Sequence, residues 1–233
     1  MKIKPLEVLK PTAILVIICV LITAAVAGTN ELTKDKIAQQ QALKAEESRK
    51  VVLPEAVTFE HYRYAGSDEH EAFDCYVGRT EDGFPVGIVY ETSAKGYGGD
   101  VKVMTGIRNE ARLGEVYDTV VSGVVILEHS ETPGLGANAE KEDFRSQYVG
   151  LKTDSDKAED YYTPIEVVRY QKPEGRQIEA MTGASITSRA VTAAVNEAIS
   201  EDRVVAKLMV ASNIHDITEE EYARLFYPVG GDE

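Results

Sequence analysis

The chain has 233 residues, 43% of them hydrophobic, and a formal net charge of −14. That is enough apolar side chain for one ordinary domain with appendages. The acidic balance, with no basic patch, argues against nucleic-acid binding and against tight docking of the globular part on an anionic membrane surface. Two cysteines and four scattered histidines (His61, His70, His129, His215) make no metal-ligand spacing, so no metal is expected.

Pro11 to Asn30 is a run of 20 uncharged residues with TAILVIICVLITAAVAG at its heart. At helical rise it spans about 30 Å, the hydrocarbon thickness of a bilayer. Lys2, Lys4 and Lys10 precede it against Glu7 alone, which puts the N-terminus in the cytoplasm and everything after residue 30 on the far side. The same features fit a cleaved signal peptide, with Ala25-Val26-Ala27 as a small-x-small site. The length of the apolar run favours a retained anchor. Cys19 lies within this run, so it and Cys75 are read as free thiols.

Residues 31–50 are rich in helix formers without Gly or Pro, and extend the helix as a polar stalk that Pro54 ends. Strands are expected at 72–80 and 84–92 around a Glu81-Asp82-Gly83 hairpin turn. The GYGGD loop (96–100) leads into a strand at 101–107, followed by a longer one at 115–129 that breaks near Ser122-Gly123. SETPGLGA (130–137) reads as a loop, 140–150 as a short amphipathic helix and 162–171 as a strand before a turn at Pro173-Glu174-Gly175. Residues 189–200 form a helix with Val191, Ala194, Val195 and Ala198 on its apolar face, and 202–226 two further helical pieces. The expected class is α+β. It divides into an N-terminus (1–10), a transmembrane helix (11–30), a helical stalk (31–53), one mixed α/β domain (54–200) and a C-terminal helical extension (201–233).

The segment that carries chemistry is Thr182-Gly183-Ala184-Ser185-Ile186-Thr187-Ser188, which runs into the helix. Such residues can serve only as a cap and a turn. A helix N-terminus is also a ready phosphate site, and a hydroxyl held there could carry a phosphate ester.

This stretch resembles the flavinylation motif of FMN-binding domains, Asp-x-x-(Ser/Thr)-Gly-Ala-(Thr/Ser). The motif occurs in the G subunit of the Rnf electron-transport complex and in the C subunit of the Na+-translocating NADH:quinone reductase. The resemblance implies Ser185 as the residue esterified to the FMN phosphate, with Thr182, Gly183 and Ala184 before it, Thr187 and Ser188 after it, and Thr187 as the fallback acceptor. The motif's Asp falls on Glu179 and its usual Thr on Ser185. A second stretch, Glu131-Thr132-Pro133-Gly134-Leu135-Gly136, resembles the family's loop near the flavin and adds Glu131, Thr132, Gly134 and Leu135 as cofactor-binding candidates. Tyr97 and Tyr148 are candidates to pack near the ring. The likeness covers roughly residues 10–200, and the length suits the Rnf G subunit better than the C subunit of the quinone reductase.

The resemblance thus implies an FMN-binding domain over 54–200 in a membrane-anchored electron carrier with FMN held covalently as a phosphoester. It would work in an ion-translocating ferredoxin:NAD oxidoreductase complex. A flavin transferase would install the FMN from FAD, and other membrane subunits of the Rnf complex would be its partners. The chain has no G-x-G-x-x-G fingerprint after a strand and no cysteine cluster for iron–sulfur ligation, so no catalytic residue of the overall reaction is assigned to it. The alternatives are the C subunit of the quinone reductase, or a non-redox extracytoplasmic scaffold in which TGASITS is only a helix cap. A lipoprotein would need its cysteine after the apolar run, and a pilin-like protein would need a processing site before it; neither is present.

Overall fold

The computed structural model describes residues 5–67, 70–111, 117–152, 163–213 and 219–229. Lys2, Lys4, Tyr162 and His215 lie outside these residues. The chain divides into two compact units, Met1–Lys44 and Ala45–Glu233.

In the first unit, α1 (Pro5–Val52) carries the apolar run. From Pro11 onward it is long and apolar enough to cross a membrane. Ile14, Leu15, Val16, Ile17, Val20, Leu21 and Ile22 are all exposed, as a lipid-facing surface requires. Toward the end of the run, hydroxyls bond back along the helix, Thr29 Oγ1 to the Ala25 carbonyl (2.9 Å) and Thr33 Oγ1 to that of Thr29 (3.0 Å). The polar segment is not uniform: its last turns, from Ala45, belong to the globular unit, because Ser48 and Val52 are buried there with Leu53.

The second unit is built on a six-stranded antiparallel sheet: β1 (Thr58–Tyr64), β2 (Phe73–Arg79), β3 (Pro85–Lys95), β4 (Asp100–Ala111), β5 (Tyr117–Glu128) and a short β8 (Phe226–Pro228). The order is β5-β4-β3-β2-β1-β8. The hairpin between β2 and β3 turns at Gly83, whose φ of 83° suits glycine. Alternate residues sort to the two faces. Tyr90, Val103 and Ile107 meet Val191, Ala194, Val195, Ala198 and Ile199 of α3 (Ser185–Asn213) on one face. Val89 and Met104 meet Val52, Leu53 and Ala56 on the other. Each large apolar side chain buried this way contributes about 1.5–3 kcal/mol.

The expected break in β5 is a bulge at Ser122: Gly106 pairs with Gly123 but Ile107 with Val121. The extra residue puts both Val121 and Val124 in the α3-side core and lets Ser122 Oγ donate to the Val52 carbonyl at 2.6 Å. A Cβ on Gly123 would stand 2.7 Å from the Val52 Cα, and one on Gly106 would strike the Val52 carbonyl. These two glycines admit the end of α1 to the sheet.

Several expectations change. The strand β1 was not expected; its TFEHYRY run alternates poorly and is recruited by pairing with β2 and β8. In place of one helix over 140–150 there is a 3-10 turn that ends at Glu140 (Gly136–Glu140), one α turn α2 (Glu142–Arg145) and a second 3-10 turn (Ser146–Tyr148). Only Glu166–Val168 of the 162–171 stretch is strand: β6, which pairs in parallel with β7 (Gln177–Glu179) as a separate two-stranded sheet. α3 starts four residues before the expected helix and runs unbroken past residue 200. α4 (Glu219–Leu225) follows, and β8 then returns to the sheet.

Two outcomes follow. Gly123→Val forces backbone apart at the α1 terminus and lowers the urea midpoint of the globular unit by an amount worth about 1–3 kcal/mol. Glu201 on α3 is largely buried, and burial, with Glu197 and Asp74 nearby, pushes its carboxyl up to about 8. A folded-state pKa above the unfolded one withdraws stability as pH rises from the ordinary carboxylate range toward 8. Glu201→Gln therefore raises the melting stability at pH 7.5, by on the order of 2 kcal/mol, and leaves it unchanged at pH 4.

Candidate functional site

The first turn of α3 is set up by the residues before it. Gly183 turns the chain with a φ of 76°, and the Ala184 amide closes the turn by donating to the Met181 carbonyl at 3.0 Å. The Ser188 amide donates to the Ala184 carbonyl at 2.9 Å, the first bond of the helix. The buried Ser188 hydroxyl donates to the same carbonyl and accepts from the Met181 amide, both at 3.0 Å. Ser188 therefore holds the turn. The amides of Ser185, Ile186 and Thr187 come before the first helical bond and are free to meet an anion.

Glu131 fixes this turn against two other loops. Thr187 Oγ1 donates to Glu131 Oε2 at 2.5 Å, and the Gly98 amide of the GYGGD loop donates to Oε1 at 2.9 Å. The Glu131 amide donates to His129 Nδ1 at 3.1 Å. Burial pushes the Glu131 carboxyl up, but the Thr187 hydroxyl and the Gly98 and Tyr97 amides outweigh it and hold the group below the usual carboxylate range. The packing leaves no room for side chains. A Cβ on Gly136 would stand 2.5 Å from Glu131 Oε2 and 2.6 Å from Thr187 Oγ1, and one on Gly96 would strike Glu131 Oε1.

A pocket of about 610 Å³ opens above this junction. It is lined by Tyr97, by Glu131, Thr132, Leu135 and Gly136, by Gly183 to Thr187, and by Arg169 and Tyr170. Both motifs thus meet in one place, with a Leu135 methyl 3.2 Å from the position a Cβ on Gly183 would take. Ser185 is half-buried in the pocket, and its hydroxyl has no hydrogen-bond partner among the described residues. Thr187 is 1% exposed and its hydroxyl is committed to Glu131, so it is poorly placed as an acceptor. Thr182, Gly134 and Ser188 do not line the pocket: Thr182 lies in the exposed turn, Gly134 forms a turn at φ 78°, and Ser188 is buried beneath. Tyr97 is at the pocket, 74% exposed. Tyr148 is not: it is fully buried, its hydroxyl 2.7 Å from Thr192 Oγ1, because α3 packs over the 3-10 turn that carries it. Arg169 and Tyr170 were not singled out in the sequence. The only local signal is an Arg-Tyr pair at the end of a β-rich run.

Glu131→Ala leaves the Thr187 hydroxyl and the Gly98 amide without their acceptor, each costing about 1–3 kcal/mol. Glu131→Gln keeps an oxygen for Gly98 and offers an amide hydrogen to Thr187. Urea midpoints at neutral pH fall in the order wild type, Gln, Ala. Because the folded-state pKa is depressed, the wild-type advantage over Gln holds above the ordinary carboxylate range and is lost as pH falls below it.

Residues 96–200 match the family described as FMN-binding domain, and residues 1–52 the one described as RnfG N-terminal region. The chain is 31% identical over 204 residues to the G subunit of the Na+-translocating ferredoxin:NAD+ oxidoreductase complex of Acetobacterium woodii, covering 82% of this chain and 90% of that protein. It is 38% identical over 116 residues to the G subunit of the proton-translocating ferredoxin:NAD+ oxidoreductase complex of Clostridium ljungdahlii, covering 50% of this chain and 53% of that one. Among solved structures, the crystal structure of Shewanella oneidensis NqrC aligns with a TM-score of 0.44 at 20% identity, covering 62% of this chain and 66% of that one, just under two thirds. On the strength of the Acetobacterium woodii match, the chain belongs to the RnfG family, the G subunits of ion-translocating oxidoreductase complexes.

Proposed function

We propose that this protein is a membrane-anchored electron carrier whose FMN is joined through its phosphate to Ser185, within an ion-translocating ferredoxin:NAD oxidoreductase complex. The observation that carries the reading is the free Ser185 hydroxyl at a helix N-terminus, in a pocket where both family motifs converge. The residues present fit the group. The Ser185, Ile186 and Thr187 amides offer donors to a phosphate. Gly183 leaves space for it, and the pocket volume accommodates a ring system.

FMN supplies reversible uptake of electrons at this site. The chain's own part is to hold, orient and retain the group. A flavin transferase would act once, during maturation. The Ser185 Oγ–phosphorus bond would form as the pyrophosphate bond of FAD broke, with AMP as the leaving group and the hydroxyl proton released. An ester link keeps the cofactor on the protein on the extracytoplasmic side, where free FMN would be diluted away. Glu131 keeps the Thr187 hydroxyl turned inward, which leaves Ser185 as the hydroxyl presented to the pocket.

On this reading α1 crosses the membrane at 11–30 with its N-terminus in the cytoplasm, and the segment after it carries the flavin domain close to its partner subunits. Ferredoxin and NAD are handled by those subunits, so this chain is not catalytically complete alone. By name, the relatives belong to one sodium-translocating and one proton-translocating complex.

Produced with an active flavin transferase, the wild-type chain runs on a denaturing gel as a band fluorescent under ultraviolet light, heavier by one FMN less one water. Ser185→Ala loses both signals, and Thr187→Ala, once refolding is verified, keeps them. Flavin retained in Ser185→Ala moves the attachment site. No flavin on any form leaves an extracytoplasmic scaffold as the surviving reading.

A further inference from the structure

Arg169 and Tyr170 line the pocket but belong to neither motif. Their position comes from the small parallel sheet. Val168 pairs with Glu179, and the Ala180 amide donates to the Val168 carbonyl at 2.8 Å. The chain leaving β6 therefore emerges beside the chain leaving β7, which runs on through Met181 to Ser185. A second tie holds the approach to β6: the Ile165 amide and carbonyl both bond to the Asn196 side chain on α3, at 2.8 and 3.0 Å.

Both residues are exposed, and neither is accounted for by packing. The Arg169 guanidinium makes no hydrogen bond or ion pair among the described residues, although the chain carries a net charge of −14. The other charged residue of the pocket lining, Glu131, has its oxygens occupied by Thr187 and Gly98. Tyr170 is 92% exposed and is the one non-glycine residue with positive φ among the described residues, at 55°. An aromatic side chain in that backbone region needs a reason outside local preference. A free cation and an uncovered aromatic ring at the edge of a pocket match a ligand that is planar, aromatic and anionic.

We propose that Arg169 and Tyr170 are flavin-positioning residues of this site, which rests on the reading of Ser185 as the FMN attachment point. Tyr170 covers the isoalloxazine by ring stacking. Arg169 sets a positive charge in the same pocket, where it favours the more electron-rich reduced ring over the oxidised one.

The test uses the full-length chain made with flavin transferase, as wild type, Arg169→Gln, Arg169→Lys and Tyr170→Leu. The readouts are bound-flavin stoichiometry, the midpoint potential from a spectroelectrochemical titration, and flavin fluorescence before and after denaturation. Arg169→Gln shifts the midpoint potential to more negative values, and Arg169→Lys stays near wild type because it keeps the charge. Attachment lost in Arg169→Gln and restored in Arg169→Lys supports the same role. Tyr170→Leu raises native flavin fluorescence several-fold, since a stacked phenol quenches it, and the difference disappears on denaturation. A change in one residue's readout alone overturns the role of the other. A flavinylated wild type with neither potential nor fluorescence altered in the variants overturns this inference and leaves the Ser185 reading standing. A wild type that takes up no flavin overturns both.

Discussion

The site depends on one buried carboxylate that bonds to two other segments. Glu131 lies just past β5, yet it holds the loop between β3 and β4 through the Gly98 amide and the first turn of α3 through the Thr187 hydroxyl. A carboxylate taken out of water must recover its hydrogen bonds inside the protein. Here it does so from neutral donors on segments that are distant in sequence, and this obligation brings the loops together. The same crowding explains why Gly96 and Gly136 surround it: any side chain there would collide with the carboxylate it is meant to admit. Thr187 is turned inward and Ser188 is spent on closing the preceding turn, so of these three hydroxyls only that of Ser185 has no partner among the described residues.

The sheet supplies the frame for this junction. α3 packs on one face through Val191, Ala194, Val195, Ala198 and Ile199, and its orientation is pinned by polar contacts as well. Thr92 Oγ1 donates to the Ala194 carbonyl at 2.8 Å, and the Tyr90 hydroxyl donates to Asp202 at 3.1 Å. On the other face the end of α1 seats Val52 against Gly106 and Gly123, with the bulge at Ser122 supplying a hydrogen bond to its last carbonyl. The last turn of α1, from Ser48 to Val52, is therefore part of the domain core.

Much of this was legible in the chain itself. The uncharged run from Pro11, the Asp-Gly hairpin at 82–83, the interruption at Ser122-Gly123 and the apolar stripe of α3 are local patterns, set by side-chain chemistry within a few residues. The two motifs also pointed to the family, because each is a contiguous stretch of residues. What escaped were elements with no strong pattern of their own. β1 and β8 exist because partner strands complete them, and β6 and β7 are three residues each, stable only as a pair packed beside α3. Tyr148 and Tyr97 looked alike as sequence, but α3 covers one and leaves the other at the pocket edge.

The sequence by itself determined the anchor, the α+β class, the family and the short list of hydroxyls, since each of these rests on composition or on contiguous residues. Tertiary structure decided which hydroxyl faces the pocket, and added Arg169 and Tyr170 to its lining. Those outcomes come from hydrogen bonds that span dozens of residues, such as Thr187 to Glu131, and from a parallel strand pairing that sets one loop beside another. Contacts of that kind are created only when the chain closes on itself, and no local pattern encodes them.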